Sequence, residues 1–357
     1  MKLIFTRKLK GNEVLARNIL SQEGKVLLKL GTIITSEYVK LIRNYGIFYI
    51  YVEEEKLSDI SEDLELVELK NNVLTTLPEV FNNLLYCDSD EDKDNILRSL
   101  SSIEELITYI SETGDVNTNL YEVKTYDNYT YVHCIDTCIM SIFLGSALKL
   151  NNEDLRILGM AAIFHDIGKT KVPQDITNKK GVLTEVEFKE MRNHSAYGVE
   201  ILRMHPFFQK EIIEAVGEHH ERYDGKGYPF GLQGENIYYL ARIISICDVF
   251  TAVSANRSYR SRFNPNEAYE LILSGSGTMF EPELVNLFRK TFAVYPLGCC
   301  LKLSNGIEAY VIRQNKGFPN RPVVRVIYDS VTGKPITPVY EIDLLKFNSV
   351  VVASIVI

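Results

Sequence analysis

From Tyr121 to Val294 apolar residues recur at intervals of three and four, the period of one face of an α-helix. Ile135, Cys138, Ile139, Ile142 and Phe143 make one such stripe, and Leu240, Ile243, Ile244 and Cys247 make another. Leu64 to Leu120 shows the same amphipathic period, and the acidic stretch Asp88 to Asp94 inside it predicts a solvated turn. The two ends differ. Near the N-terminus, Val26 to Leu30 and Phe48 to Val52 are short β-prone runs bounded by Gly24, Gly31 and Gly46. Between them Ser36 is expected to cap a helix running through Arg43. After Pro296 the period changes to that of strands. Leu301 to Leu303, then Asn305-Gly306, then Ala309 to Ile312 predicts a hairpin with a type I′ turn, with Val323 to Tyr328 and Val350 to Ile357 as further strands. The expected architecture is mainly α. It comprises a small α/β N-terminal module (1–55), a helical linker region (56–120) opened by the charged run Glu53 to Lys56, a helical bundle domain (121–295) and a small all-β domain (296–357).

Composition narrows the function classes. The 357 residues carry 39 Lys plus Arg against 47 Asp plus Glu, a net charge of −8. An acidic chain is a poor general binder of DNA or RNA duplex or of anionic membranes, though a local basic pocket can still hold a small anion. The most apolar stretch, Thr137 to Leu148, is shorter than the roughly 18–20 residues a membrane helix needs and reads as a core helix, so no membrane insertion is expected. Met1, Lys2, Leu3 and Ile4 are followed at once by Arg7, Lys8 and Lys10, which is not a signal-peptide pattern. Six cysteines make no disulfide framework, and reduced thiols in a cytoplasmic protein are the expectation.

The chemistry lies in the histidines. Of six, His133, His165, His194 and the pair His219-His220 stand roughly 25 to 32 residues apart in the helical block, about one helix plus its connection at each step. One histidine per successive helix can converge on a point in a bundle core, which is how bundles build metal sites. Asp166 follows His165 directly and Asp248 lies beyond His220, both inside strongly apolar surroundings, where a carboxylate is costly unless paired or bound to a cation. A single histidine on an apolar helix face is usually a hydrogen-bonded core residue. Five histidines and two aspartates in helical phase are harder to explain in that way, and adjacent imidazoles bring no packing benefit. His205, before Pro206, fits no such spacing and is expected at the surface. Imidazole and carboxylate donors without thiolate suit iron, manganese or zinc. An aspartate shared by two ions would give a two-metal centre of the kind that displaces at phosphorus.

Cations suited to a phosphate lie nearby in the sequence. Lys169 follows Asp166 by one turn, and Arg257 and Arg260 follow Asp248 with a mutual spacing of three. By themselves these read equally well as a solvated basic face; beside metals they favour an anionic substrate. The stretch His219 to Pro229 adds Gly225, Gly227 and Tyr228, a loop fixed by two glycines and a proline, with Tyr228 placed either to pack or to touch a ligand.

Together these motifs resemble the HD-GYP family of HD-domain metal-dependent phosphohydrolases. His165-Asp166-Ile167-Gly168-Lys169 and Gly227-Tyr228-Pro229 behind His219-His220 carry the resemblance. Tyr131-Val132-His133, Asn193-His194, Asp248-Val249-Phe250-Thr251-Ala252 and Arg257-Ser258-Tyr259-Arg260 extend it over about Tyr121 to Val294. The resemblance implies an all-helical catalytic domain that hydrolyses cyclic di-GMP to linear pGpG, in many members on to GMP. By motif position, His133, His165, Asp166 and Asp248 would hold one metal. Asp166 would bridge to a second held by His194, His219 and His220. Asp166 and Lys169 would be catalytic, and Lys169, Tyr228, Arg257 and Arg260 would meet the substrate. Members with a third metal tend to carry Glu four residues before the first histidine; Tyr129 stands there in this chain, so two divalent ions, iron or manganese, and pGpG as main product are expected.

Other readings share these residues. The pocket could bind a cyclic dinucleotide as a sensor without turnover, although complete ligands argue against loss of catalysis. The same chemistry could act on another cyclic dinucleotide or a nucleoside monophosphate. A helical bundle with incidental histidines is the reading without chemistry. The terminal modules resemble appendages of HD-GYP proteins and would serve docking or regulation, with a homodimer or a signalling protein as partner.

Overall fold

The computed structural model describes residues 1–20, 26–45, 47, 49–60, 63–86, 90–113, 129–179, 181–255, 265–315, 317–329, 332 and 334–356. Arg257 and Arg260 lie outside the described residues, as do Gly24, Gly46 and Asp88.

The first unit pairs β1 (Lys2–Phe5) with β4 (Tyr49–Val52), and β2 (Ile19–Leu20) with β3 (Val26–Leu28), both antiparallel, around α1 (Ser36–Asn44). Leu15, Ile34, Val39, Ile42 and Ile50 form its own small core. The cap of α1 is Thr35 rather than Ser36: its hydroxyl accepts from the Tyr38 amide at 3.3 Å, and Ser36 is already helical.

Two long helices follow, α2 (Leu64–Tyr86) and α3 (Asp90–Thr113). The acidic stretch is therefore not a turn throughout, because the helix begins at Asp90. Val73, Leu77, Phe81, Ile103 and Ile107 place this hairpin in the same core as the helices beyond it. Lys70 on α2 also pairs with Asp136 at 3.2 Å, both largely buried.

The bundle comprises α4 (Tyr129–Ala147), α5 (Asn152–Phe164), α6 (Gln174–Thr177), α7 (Glu185–Arg192), α8 (His194–Arg203), α9 (Lys210–Glu218), α10 (Tyr239–Ala255), α11 (Pro265–Ser274) and α12 (Pro282–Thr291). Helix α4 packs on α5 and α10, α5 on α9, and α8 on both α9 and the short 3₁₀ turn Ile167–Lys171. Starts are written in the sequence. Asn151 accepts from the Asp154 amide at the head of α5, and Thr184 and Glu187 form a reciprocal capping box on α7. Helix α4 is longer than its apolar stretch suggests. The window Thr130–Ala147 reaches a mean hydropathy of 1.2 and a length that could cross a bilayer, but 67% of it is buried in the protein, as in a core helix. His205 is also buried, against the surface position expected for it. Its Nε2 donates to the Leu84 carbonyl near the end of α2 at 2.8 Å, and its ring packs on Phe207 and Phe208. It closes a helix end that would otherwise lose a hydrogen bond.

The C-terminal part is a five-stranded antiparallel sheet in the order β8 (Lys334–Asp343), β7 (Val323–Asp329), β6 (Glu308–Arg313), β5 (Cys300–Leu303), β9 (Val352–Ile355). The β5–β6 turn is not type I′, since Gly306 has φ +84° but Asn305 is not left-handed. Gly306 N donates to Leu303 O, and Leu303 N to Ile307 O, the pattern of a three-residue loop closed by a left-handed glycine. This sheet docks on the N-terminal unit. Leu3 N donates to Gly298 O at 3.0 Å, and Arg325 on β7 grips Asp59 with two bonds of 2.6 and 2.7 Å while also reaching the Lys56 carbonyl and Glu341.

Candidate metal centre

Five helices deliver the seven expected donors to one buried point. His133 comes from α4, Asp248 from α10, and His165 from the C-cap of α5 with Asp166 next to it. His194 opens α8, and His219 is the C-cap of α9 with His220 beside it. All are buried except His220, which is partly open. Gly168 permits the convergence. A Cβ at that position would lie 1.9 Å from the His194 carbonyl oxygen and 2.5 Å from the Gly198 nitrogen, so only glycine lets the turn after Asp166 touch α8.

The imidazoles are oriented by carbonyls. Nδ1 of His165 bonds Ala162 O at 2.7 Å, Nδ1 of His194 bonds Met191 O at 2.6 Å, and Nδ1 of His219 bonds Val216 O at 2.7 Å. A carbonyl only accepts, so each Nδ1 carries the proton and each Nε2 presents a lone pair. His133 reaches the same state through Thr251. That hydroxyl donates to Asp248 O at 3.0 Å, so it accepts from His133 Nδ1 at 3.1 Å and from the Thr137 hydroxyl at 2.9 Å.

The lone pairs then face one another. Nε2 of His133 lies 2.9 Å from Asp248 Oδ1, and Nε2 of His194 lies 3.4 Å from Nε2 of His219. The two oxygens of Asp166 point different ways: Oδ2 is 3.5 Å from His165 Nε2 and 3.9 Å from His133 Nε2, whereas Oδ1 is 3.5 Å from His194 Nε2. Among the described residues, His165 Nε2 and Asp166 Oδ1 are buried without a hydrogen-bond partner. Acceptors crowded together and left unsatisfied in a protein interior are costly, and a cation relieves them. The donors group into triads that could hold an ion, His133–His165–Asp166 and His194–His219–His220, with His165–His219–Asp248 between them.

Electrostatics agree. Burial holds His165 and His194 below the ordinary imidazole range. His219 is held well below it by burial and the neighbouring histidines, and burial takes His220 down to about 3. All four are neutral at pH 7, as metal ligands must be. Burial opposes the charge on Asp166 and Asp248. For Asp166, Lys169 and the surrounding imidazoles outweigh it; for Asp248, the close approach of His133 and the other imidazoles does, so both carboxylates stay ionised. Lys169 Nζ sits 2.6 Å from Asp166 Oδ2. Burial pulls its pKa down, but the carboxylate outweighs this and the net direction is up. Two buried carboxylates against this lysine leave the cluster short of positive charge.

Tyr228 stacks on His220, with ring centroids 4.8 Å apart and planes at 27°. Its loop is held by a residue that the sequence pattern did not single out. The buried carboxylate of Glu221 accepts from the amides of Phe230 (2.6 Å), Gly231 (3.1 Å) and Leu232 (3.0 Å), while Arg222 closes on Asp224 with two bonds. Thr251 was also missed as a positioning group. Its signal was its place three residues after Asp248, one helical turn away; for Glu221 it was an acid next to the histidine pair at the head of a glycine-rich loop.

Residues 137–284 match the family model described as HD domain, and residues 300–357 match that of a KOW domain associated with HD domain. The chain is 34% identical over 242 residues to the cyclic di-GMP phosphodiesterase PA4108 of Pseudomonas aeruginosa, covering 68% of this chain and 58% of that one. It is 34% identical over 169 residues to the 3′3′-cGAMP-specific phosphodiesterase 3 of Vibrio cholerae, covering 47% and 36%. Among solved structures, Bd1817, an HDGYP protein of Bdellovibrio bacteriovorus, aligns with a TM-score of 0.47 and 15% identity over 80% of this chain and 97% of that one. The chain thus spans less than two thirds of the length of these two curated relatives. With an HD-domain match across the histidine cluster, and His165-Asp166 and Gly227-Tyr228-Pro229 in place, the chain belongs to the HD-GYP branch of the HD-domain family.

Proposed function

We propose that this protein is a metal-dependent phosphodiesterase that hydrolyses cyclic di-GMP to linear pGpG. The observation that carries the reading is the split of Asp166: one oxygen faces His133 and His165, the other faces His194, and each side holds a triad of unprotonated donors. His133, His165, Asp166 and Asp248 would hold one divalent ion, and His194, His219, His220 and Asp166 a second, iron or manganese. When bound, the ions would supply an acidified water as nucleophile and offset charge on the phosphoryl oxygens.

The chain's own groups do the rest. The carbonyls of Ala162, Met191 and Val216 hold the imidazoles in the ligand tautomer. Lys169, on the partly open side of Asp166, orients that carboxylate and offers its charge to a phosphoryl oxygen. Tyr228 forms a wall against His220 on which a ribose or base can rest. Arg257 and Arg260 complete the phosphate contacts by their motif position. In the reaction water adds to phosphorus, the P–O3′ bond breaks, and the 3′ oxygen leaves as a hydroxyl with the proton from water. Tyr129 in place of a glutamate supports two ions and pGpG as the main product. A second reading, another cyclic dinucleotide as substrate, is favoured by the 34% identity to a 3′3′-cGAMP-specific enzyme.

The test is turnover of cyclic di-GMP by protein purified anaerobically with Fe(II) or Mn(II), products resolved by chromatography and metal measured on the same sample. About two ions per chain and pGpG as main product are expected. Asp166→Ala should abolish turnover and lower metal content. Full activity in that variant would refute the shared-aspartate scheme, and near-stoichiometric GMP with three ions would refute the Tyr129 argument.

A further inference from the structure

Arg192, the last residue of α7, stands two positions before His194 and carries a guanidinium that pairs with no described carboxylate. Instead it lies over two aromatic rings, 4.5 Å from the centroid of Phe188 one turn back and 5.1 Å from that of Tyr228. Two acids of α7 are engaged elsewhere: Glu187 takes Lys179 and the Thr184 amide, and Glu190 takes the Asn193 amide group and the Tyr197 hydroxyl. Tyr228 in turn stacks on His220. The guanidinium is therefore one ring layer beyond the cluster, exposed, placed over two aromatic rings and, among the described residues, without a hydrogen-bond partner for its N–H groups.

Building on the phosphodiesterase reading, we propose that Arg192 is a specificity residue that binds the O6 and N7 edge of a guanine of the substrate. Three observations favour a base over a phosphate. The reacting phosphate has to sit on the histidine–aspartate cluster, and Lys169 already stands beside it. Bases extend outward from the phosphate, which is the direction of the Tyr228 and Arg192 layers. The rim carries exposed Phe188 and Phe230, apolar faces that suit a base. A guanidinium offers two parallel donors, and guanine presents two acceptors on its O6/N7 edge, whereas adenine presents one acceptor and one donor.

The experiment measures KM and kcat for cyclic di-GMP, and the competitive inhibition constant of cyclic di-AMP, on metal-loaded wild type, Arg192→Ala and Arg192→Lys. A bidentate base contact is worth roughly 10- to 100-fold in discrimination. The expected result is a KM for cyclic di-GMP raised about 10-fold or more in both variants, with metal content unchanged and the cyclic di-AMP constant moved less than about threefold. Lysine keeps the charge but not the fork, so it should not restore KM. Equal weakening towards both dinucleotides would assign Arg192 to a phosphate and overturn the proposal, as would recovery by lysine or an unchanged KM. A wild type that holds its metals but leaves cyclic di-GMP intact is a different result: it would overturn the phosphodiesterase reading itself.

Discussion

Replacing Glu221 with alanine tests whether the loop beside the metal centre is held by one side chain. The carboxylate is buried and accepts three backbone N–H groups from Phe230, Gly231 and Leu232. A hydrogen bond to a charged group contributes about 1.5–3 kcal/mol net. These amides lie near the surface, where water can replace part of the loss. Two bonds at the low end of that range give about 3 kcal/mol. That cost is charged to local opening of residues 228–232 rather than to global unfolding, because the loop's other ties, Arg222 to Asp224 and Asp224 N to Thr278 O, remain. The assay is amide hydrogen exchange with kinetics on the same protein. Exchange at 230–232 should quicken on the order of 100-fold while amides of α5 and α10 hold. KM for cyclic di-GMP should rise as Tyr228 leaves His220, with metal content near normal. Glu221→Gln keeps one acceptor oxygen but sets an amide donor against backbone donors, so it should fall between. Unchanged exchange at 230–232 in Glu221→Ala would refute the clamp.

Thr251→Val removes the acceptor for His133 Nδ1 at nearly constant volume; metal affinity should fall about 10- to 100-fold, measured by chelator competition, and an unchanged affinity would show that Thr251 does not orient His133. Gly168→Ala should lower both Tm and metal content, because the added carbon meets backbone of α8 that cannot move aside; a variant with wild-type Tm and full metal would contradict that close approach. Arg325→Ala should cost about 1–2 kcal/mol in denaturant unfolding, discounted because Asp59 is largely exposed. Exchange should quicken at β1 and β7 but not in the bundle, and uniform quickening would mean the terminal units do not dock through this residue.

The helical block and its donors were legible because burial writes itself twice in such a chain, once in the period of apolar residues and again in the polar residues that break it. His165-Asp166 after Ala161-Ala162-Ile163-Phe164 shows both, and the structure buries all six. What the sequence hid depends on contacts between distant segments. His205 looked like a loop residue because its partner, the Leu84 carbonyl, is 121 positions away. The type I′ turn failed for a local reason: Asn305-Gly306 fits two loop lengths, and the strands' register, Lys302 opposite Glu308, selects the longer. Thr35 rather than Ser36 as cap is the one-residue ambiguity of two adjacent hydroxyl residues. Arg192 gave no sequence signal beyond its place before His194, since its aromatic partner Tyr228 comes from another element.

One device explains how so many donors survive together in an apolar core. A helix ends with carbonyls that have no amide to meet them. His165 and His219 stand at such ends, and each turns Nδ1 back to the carbonyl three residues earlier; His194 does the same where α7 meets α8. The same bond satisfies the helix end, fixes the ring and leaves the Nε2 lone pair pointing inward. A buried histidine would ordinarily be a liability at two nitrogens. Here one nitrogen is satisfied by folding, before any ion arrives, and only the other awaits a ligand. Substituting any of these three histidines should therefore remove a proposed metal donor and uncap a helix at once. Stability without metal should fall in His165→Ala and His219→Ala, whereas His220→Ala, whose ring has no such carbonyl bond among those described, should lose metal with little change in the stability of the metal-free protein.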